Sequence, residues 1–265
     1  MRAVRLAAID LDGTLLRGDG SISARSRATL KRTQESGIIT IIATARDLQE
    51  VRGIDDIEKV FDIAICCSGA VTYDLASEDT LTQATMSASV YTPVIDEIRS
   101  CRPGTGIGFV DHAGTWYCDD FPWGSHDRKV PLESLLDRNA PVLKVFAFDP
   151  GSDHAPHDLV SLVRDAGGSR IEIGHRSGRF VEILAAGAGK LPALRWCCVR
   201  NDIAQDSVIA FGDSLGDVEM LRWAGIGVAV RNAVPEVRRA AVLVAPGCDE
   251  DGVARTLELM LPPVG

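Results

Sequence analysis

The sequence predicts an α/β protein with an open parallel sheet and an inserted α+β domain. Short apolar runs recur towards both ends of the chain, and each closes in a turn with glycine or polar residues, as buried parallel strands do. Between residues 82 and 186 the pattern changes to alternating strand-like segments interleaved with helix-like ones. We therefore expect a core from residues 1–81 and 187–265, and an insertion from residues 82–186.

Composition indicates a globular protein with ample apolar cores, since 46% of its 265 residues are hydrophobic. The net charge of -9 argues against a nucleic acid or an anionic membrane as partner, because both demand a basic surface. No apolar run approaches the ~20 residues of a spanning helix, and Asp10 interrupts the first run too early for a signal peptide. Seven cysteines without Cys-x-x-Cys spacing predict reduced thiols and a cytoplasmic location.

The first predicted strand, Val4 to Ile9, ends directly in two carboxylates. Asp10 and Asp12 follow it, and Gly13 allows the backbone to turn sharply. In open α/β sheets, ligands lie beyond the carboxyl ends of the strands, so chemistry is expected here. The alternative is that both aspartates only bond their own backbone in a turn.

Two further strands are predicted in the first half of the core. Ser23 is suited to cap a helix from Ala24 to Ser36, and the β-branched run Ile38 to Ala43 then forms the second strand. Phe61 to Cys66 forms the third. Polar residues follow both strands, so they are expected at the same sheet edge as the aspartates.

These polar residues are Thr44, Arg46, Ser68 and Gly69. Among them, Ser68 can offer a hydroxyl to a phosphate. The ordinary alternatives are that Thr44 caps the next helix and that Ser68 belongs to a plain turn.

The insertion has four strand-like segments and two helix-like ones. The strand-like segments are Thr115 to Cys118, Val142 to Phe148, Arg170 to Ile173 and Arg179 to Leu184, and the helix-like ones are Thr92 to Arg99 and His157 to Ala166. The glycines of Gly104-Thr-Gly-Ile-Gly lack dinucleotide-loop spacing, and we exclude that function.

The second half of the core supplies a lysine and two more carboxylates. Lys190 opens a predicted helix, where its charge opposes the helix dipole, and this mismatch favours a functional role. Asp213 follows the strand Ser207 to Phe211, and Asp217 lies four residues later at a helix start. Mg²⁺ prefers such oxygen ligands. Asn232 is expected to be a turn former.

The order Asp-x-Asp-Gly-Thr behind a buried strand resembles the nucleophile motif of haloacid dehalogenase (HAD) phosphatases. The whole chain resembles the Cof-type (class IIB) subfamily, which implies a Rossmann-like parallel-sheet core with an inserted α+β cap. By this resemblance, Asp10 attacks phosphorus to form an aspartyl-phosphate, and Asp12 is the acid/base. Covalent catalysis of this kind divides one difficult displacement into two easier ones.

The resemblance also implies roles for the other polar residues. Thr44 would bond the transferring phosphoryl group, and Lys190 would neutralise charge on nucleophile and phosphate. The implied Mg²⁺ ligands are Asp10, Asp12, Asp213 and Asp217. The implied substrate-binding residues are Thr44, Arg46, Ser68, Gly69, Lys144 and Arg179. Three positions depart from the family pattern, with Ala45 for glycine, Ser68 for asparagine and Gly216 for asparagine.

The insertion is expected to set substrate specificity, because the residues that hold the phosphoryl group are common to every substrate. Candidate readers of a hydroxyl-rich leaving group are Lys144, Arg179, Glu182 and His126, the last beside the aromatic residues Trp116, Tyr117 and Trp123. Each has an alternative as a solvated or core residue. As a set they favour a sugar phosphate.

The sequence therefore predicts a Mg²⁺-dependent phosphatase of small phosphorylated metabolites. Sugar phosphates are favoured, because aromatic and hydrogen-bonding side chains suit hydroxylated rings. One alternative is a phosphomutase, which would pass the phosphoryl group to a sugar hydroxyl. Another is a phospho-aspartate signalling module of the receiver type, although such domains are about half this length. A non-catalytic relative is a further alternative. The oligomeric state is not predicted.

Overall fold

The computed structural model of the protein describes residues 3–119, 121–122, 128–150, 157–177 and 180–261. The chain divides into two compact units. The first comprises Met1–Thr82 and Lys190–Gly265, and the second comprises Gln83–Gly189. Each unit has a sheet of its own.

The elements are numbered in chain order. The strands are β1 (Leu6–Ile9), β2 (Ile39–Ala43), β3 (Ile63–Cys66), β4 (Val71–Asp74), β5 (Thr80–Gln83), β6 (Gly106–Asp111), β7 (Gly114–Cys118), β8 (Lys129–Val130), β9 (Lys144–Phe148), β10 (Ile171–Ser177), β11 (Phe180–Ala185), β12 (Val208–Gly212), β13 (Ile226–Val230) and β14 (Leu243–Ala245). The helices are α1 (Ala24–Glu35), α2 (Leu48–Arg52), α3 (Ala88–Cys101), α4 (Leu132–Asp137), α5 (His157–Gly167), α6 (Lys190–Arg200), α7 (Val218–Trp223), α8 (Pro235–Ala240) and α9 (Gly252–Glu258).

The sheet of the first unit has the strand order β14-β13-β12-β1-β2-β3-β4-β5. From β14 to β3 all neighbours run parallel, and β4 pairs antiparallel with β3. All residues of β1, β3, β12 and β13 are buried, as expected for strands covered on both faces. The parallel register brings the carboxyl ends of β1, β2, β3 and β12 to one edge.

Helices cover this sheet. Along β1, Leu6 and Ala8 join a buried cluster with residues of α6, α7 and α8, including Leu194, Met220 and Val237. Successive strand residues point to opposite faces, so Ala7 and Ile9 face the other side. Ser23 caps α1 by accepting a hydrogen bond from the backbone N–H of Ser26, as the sequence predicts. Among the described helices, none is both long enough and apolar enough to span a bilayer.

The sheet of the second unit has the order β10-β11-β9-β6-β7-β8 and is antiparallel except between β7 and β8. Helices α3 and α5 contact each other, and Tyr91 of α3 packs edge-on against Phe109 of β6. On the opposite face, the ring of Phe146 packs among Tyr117, Phe121 and Phe180. This unit is the mixed α+β structure that its alternating pattern predicts.

The α/β fold class is confirmed, and some elements differ from the sequence prediction. Strands β4 and β5 were not predicted, although they extend the first sheet beyond β3. Strand β6 includes Gly106 and Gly108, in a segment that sequence pattern gives no strand character. Gly108 is buried directly under the Phe146 ring, since a Cβ there would lie 2.1 Å from Phe146 Cε2. Close packing against a neighbouring strand therefore overrides the poor strand propensity of glycine.

Candidate active site

Four predicted site residues lie just beyond the carboxyl ends of neighbouring strands. Asp10 follows β1, Thr44 follows β2, Ser68 follows β3 and Asp213 follows β12. The register pairs Ile9 with both Ile42 and Phe211, so the chain leaves β1 and β12 at nearly the same level. The structure thus brings together side chains that are up to 203 positions apart in the chain, from 10 to 213.

The turn after β1 is tight and closely packed. The carbonyl oxygen of Leu11 accepts hydrogen bonds from the backbone N–H groups of Thr14, Leu15 and Leu16. Gly13 has φ +76°, and a Cβ on it would lie 2.5 Å from Oδ2 of Asp213. Only glycine meets both demands, the left-handed backbone and the close approach. The Thr14 hydroxyl donates to Oδ1 of Asp213 at 2.9 Å, which fixes that carboxylate beside the turn.

Three carboxylates form a cluster around the Lys190 ammonium. Oxygen atoms of Asp10, Asp213 and Asp217 lie within 4.8 Å of one another. Lys190 Nζ donates to Asp10 Oδ1 at 2.7 Å and to Asp217 Oδ1 at 2.6 Å. Lys190 begins α6 as predicted, and it is only 8% exposed, so it is not a solvated surface lysine. The arrangement matches the ligand chemistry of a hard divalent cation.

Asp217 differs from the other two carboxylates, because its oxygens already accept four hydrogen bonds. Oδ1 accepts from Lys190, and Oδ2 accepts from the backbone N–H groups of Asp213 and Ser214 and from the Ser214 hydroxyl. Three of these bonds are to Oδ2 and only one is to Oδ1, so Oδ1 keeps a lone pair that could bind a cation. Asp217 belongs to the group of carboxylates that could hold a metal ion, and its role as a ligand stays a prediction. The side chain holds Lys190 and the loop that carries Asp213.

The cluster has surplus negative charge. When all four groups are ionised, three carboxylates and one ammonium leave two negative charges. Burial raises the pKa of Asp10 well above its ordinary value, and the charges of Asp217 and Asp213 raise it further against the opposing effect of Lys190. Burial and Asp217 likewise raise the pKa of Asp213. Burial would lower the pKa of Lys190, but Asp10 and Asp217 outweigh it and raise that pKa. A divalent cation would neutralise the surplus.

The side chain of Asp12 lies apart from this cluster. Arg46 donates to both of its carboxylate oxygens, from Nε at 2.8 Å and from Nη2 at 2.6 Å. The Asp12 side chain is 57% exposed, whereas Asp10 is buried. The group of carboxylates that could hold a cation comprises Asp10, Asp213 and Asp217, whereas Asp12 forms a two-pronged bond with Arg46. The role of Asp12 as a metal ligand stays a prediction.

The ends of β2 and β3 support each other through backbone bonds. The N–H of Ser68 donates to the Thr44 carbonyl, and the N–H of Cys67 donates to the Arg46 carbonyl. The Thr44 hydroxyl is buried and accepts from the N–H of Arg46 at 3.1 Å. Ser68 has φ +56°, a region that asparagine enters more readily than serine, and Gly69 follows with φ +100°. Thr44, Arg46, Ser68 and Gly69 thus lie on adjoining turns.

The predicted specificity residues belong to the second unit. Lys144 is buried and donates to Glu182 at 2.7 Å, so these two candidates pair with each other. Two guanidinium groups, of Arg128 and Arg138, lie over the ring of Trp116. This indole is therefore already stacked. Arg179, Trp123 and His126 lie outside the described residues.

Asn232 lies in a turn, as predicted, and its side chain also bonds two distant segments. Its Nδ2 donates to the carbonyl oxygen of Gly13 at 2.6 Å, and its Oδ1 accepts from the N–H of Cys248 at 3.0 Å. The two bonds join segments that are 219 and 16 positions away in the chain. No local signal in the sequence indicates such a bridge, because asparagine before a small residue is typical of ordinary turns.

Comparison with known proteins identifies the family. A model of haloacid dehalogenase-like hydrolases matches residues 7–257. The chain belongs to this family. The 5-amino-6-(5-phospho-D-ribitylamino)uracil phosphatase YcsE of Bacillus subtilis is 27% identical over 254 residues, which cover 96% of this chain and 94% of YcsE. The Cof-type resemblance predicted from the motifs is confirmed.

Solved structures have the same fold. A haloacid dehalogenase-like hydrolase from B. subtilis superposes with a TM-score of 0.84 at 21% identity, covering 97% of this chain and all of that one. The HAD subclass IIB sugar phosphatase BT4131 gives a TM-score of 0.79 at 21% identity, covering 97% and 98% of the two chains. The protein is a phosphoric monoester hydrolase that acts on small phosphorylated metabolites.

Proposed function

We propose that the protein is a Mg²⁺-dependent phosphatase that works through an aspartyl-phosphate on Asp10. The observation that carries this proposal is the buried cluster in which Lys190 pairs with Asp10 while Asp213 lies alongside. A buried carboxylate beside a fixed ammonium can approach a phosphate dianion that would otherwise repel it. Nucleophile, counter-charge and possible metal ligands therefore meet at one strand end, as covalent phosphoryl transfer needs.

The reaction has two displacements at phosphorus. A carboxylate oxygen of Asp10 forms a bond to phosphorus while the bond to the leaving-group oxygen breaks, and Asp12 gives its proton to that oxygen. Water then attacks phosphorus, its proton passes to Asp12, and the bond between Asp10 and phosphorus breaks to release phosphate. A positioned acid/base of this kind contributes roughly 10²–10⁴-fold. Arg46 keeps Asp12 at the turn, and one of its two bonds to the carboxylate must open before that oxygen can carry a proton.

The donor set fits Mg²⁺, with Asp10 and Asp213 as the carboxylate ligands. Both offer oxygen atoms, which this ion prefers, and the surplus of two negative charges matches its charge. The ion supplies neutralisation of the phosphate and the nucleophile, so that two anions can meet. Asp217 acts mainly through Lys190, to which its Oδ1 is bonded, since its Oδ2 already accepts three hydrogen bonds. Thr44 is suited to bond the phosphoryl oxygens.

For the substrate we propose a phosphorylated sugar or sugar alcohol. We propose that the second unit is a cap domain that recognises its leaving group. YcsE is named for a ribityl phosphate and BT4131 for sugar phosphates, which supports this class. In the second unit the partly exposed rings of Tyr117 and Phe180 lie around the buried ring of Phe146, and aromatic rings suit hydroxylated chains and rings. Arg179 stays a predicted contact, as does Lys144 together with its partner Glu182.

The test is phosphate release from a panel of sugar, sugar-alcohol, nucleotide and pyridoxal phosphates, with Mg²⁺ and with excess EDTA. We expect release only with the metal, and fastest release from the polyol phosphates. Asp10→Asn should abolish release, and rapid acid quenching of the wild type followed by mass spectrometry should find phosphate on the peptide with Asp10. Asp96→Asn, at an exposed position of α3, is the matched control. Activity in EDTA, or in the Asp10 variant, would contradict the proposal.

A further inference from the structure

We infer that Asn232 is a positioning residue for catalysis, which ties the turn after the nucleophile to the chain at Cys248. This inference rests on the proposed phosphatase function. Asn232 contacts none of the reacting groups. Its side chain acts through the carbonyl of Gly13, next to Asp12 in the chain.

Both ends of the Asn232 amide are used, so its orientation is fixed. The donor end reaches Gly13 at 2.6 Å, and the acceptor end receives the N–H of Cys248 at 3.0 Å. An aspartate of the same size keeps only the acceptor, and its charge would face the carbonyl oxygen of Gly13. The amide is thus the group that the bridge demands.

Further bonds tie the same two regions together. We call residues 232–234 and 247–251 together the bracing segment. Besides the bond of Asn232 to Gly13, it forms one bond to the loop of Asp213 and two to the chain that follows Gly13. The N–H of Val234 donates to the Asp213 carbonyl at 3.1 Å. Gly18 donates its N–H to Asp249 at 2.9 Å, and Arg17 pairs with Asp251 at 2.9 Å. The bracing segment therefore contacts the loops of both Asp12 and Asp213.

The position of Gly13 matters because it lies directly against Asp213, with space for no Cβ between them. Movement of this carbonyl would shift Asp12 relative to Asp10 and loosen the packing against the Asp213 carboxylate. The contacts expected to bind the phosphate, from Thr44 and Lys190, lie on other elements. Loss of the bridge should therefore affect turnover more than substrate binding.

The experiment compares Asn232→Asp and Asn232→Ser with Asn201→Asp. Asn201 is a matched control, because its Nδ2 also donates to a backbone carbonyl, that of Cys197, at the end of α6 away from Lys190. Steady-state kinetics with Mg²⁺ and a polyol phosphate should show kcat lowered by about 10- to 100-fold for both Asn232 variants, as for other small misplacements of catalytic groups. KM should change little. The control should keep both constants.

Hydrogen exchange with mass spectrometry gives a second readout. In both Asn232 variants the peptide that covers residues 11–18 should exchange faster, while peptides from β2 and β13 keep their protection. Unchanged kcat and unchanged exchange would overturn the inference. Failure of both variants to fold, or faster exchange throughout, would overturn it too, since Asn232 would then serve overall stability. An inactive wild type would instead refute the proposed function.

Discussion

At the scale of single residues, the position of Asp12 depends on one arginine. Arg46 holds both carboxylate oxygens, a planar geometry that lysine does not reproduce. Arg46→Lys should therefore lower kcat by about tenfold, as expected when a general acid/base loses its alignment. Arg25→Lys is the matched control. Arg25 also binds both oxygens of a carboxylate, that of Glu258, but neither residue is one of the proposed catalytic groups. Equal kcat values for the two variants would contradict this role.

Substitutions of the two carboxylates after β12 should differ in their effect on the metal requirement. Asp213→Asn removes a proposed Mg²⁺ ligand, so the metal concentration for half-maximal activity should rise by 10-fold or more, the order of effect seen for groups around metal sites. Asp217→Asn should chiefly lower kcat, because it weakens the hold on Lys190. Titration of activity with Mg²⁺ distinguishes them. A larger shift of the metal requirement in Asp217→Asn would establish that residue as a ligand.

At the scale of elements, the second sheet depends on close packing at Gly108. A Cβ there would lie 2.1 Å from the Phe146 ring, so Gly108→Ala must displace the ring from a cluster with Phe121 and Phe180. Overpacking of this kind costs about 1–3 kcal/mol in the free energy of unfolding. Urea unfolding measures it. Gly53→Ala, where the nearest atom is at 3.4 Å and φ is -67°, should change stability far less.

Sequence patterns predict single strands and helices and where they end, but not the side-chain contacts between them. The apolar runs before Asp10, Thr44 and Asp213 predict three neighbouring strands, and parallel pairing then brings their ends together without further information. Strand β6 escaped prediction, because its glycines are explained only by the ring of Phe146 on another strand. The local periodicity of the sequence does not predict such contacts between strands.

The same limit applies within the site. The lysine and the four aspartates could be found from strand ends and spacing, but their bonding partners could not. That Asp217 bonds Lys190 and the loop of Asp213, or that Arg46 bonds both oxygens of Asp12, follows from side-chain geometry across the sheet edge. Asn232 is the extreme case, since its partner Gly13 lies 219 positions away.

At the scale of the whole molecule, buried tyrosine and cysteine side chains predict how the free energy of unfolding falls at alkaline pH. Burial raises the pKa of Tyr73 to about 12, of Cys197 to about 12 and of Cys198 to about 11. The ordinary values are 10.0 for tyrosine and 9.0 for cysteine. Below pH 9 all three are neutral in both folded and unfolded chains. Above it, the unfolded chain loses protons that the native state keeps, so the free energy of unfolding decreases as pH rises.

We therefore expect the free energy of unfolding to fall from about pH 9 towards pH 12, by about 1.4 kcal/mol per pH unit for each group in its window. Urea unfolding at a series of pH values measures the slope. Tyr73→Phe removes one titrating group, and its curve should be less steep than the wild type above pH 10, where tyrosine begins to ionise in the unfolded chain. Ile209→Val, a buried change without a proton, should lower the curve without altering its slope. If Tyr73→Phe and the wild type lose stability equally steeply, ionisation of Tyr73 does not contribute to alkaline unfolding.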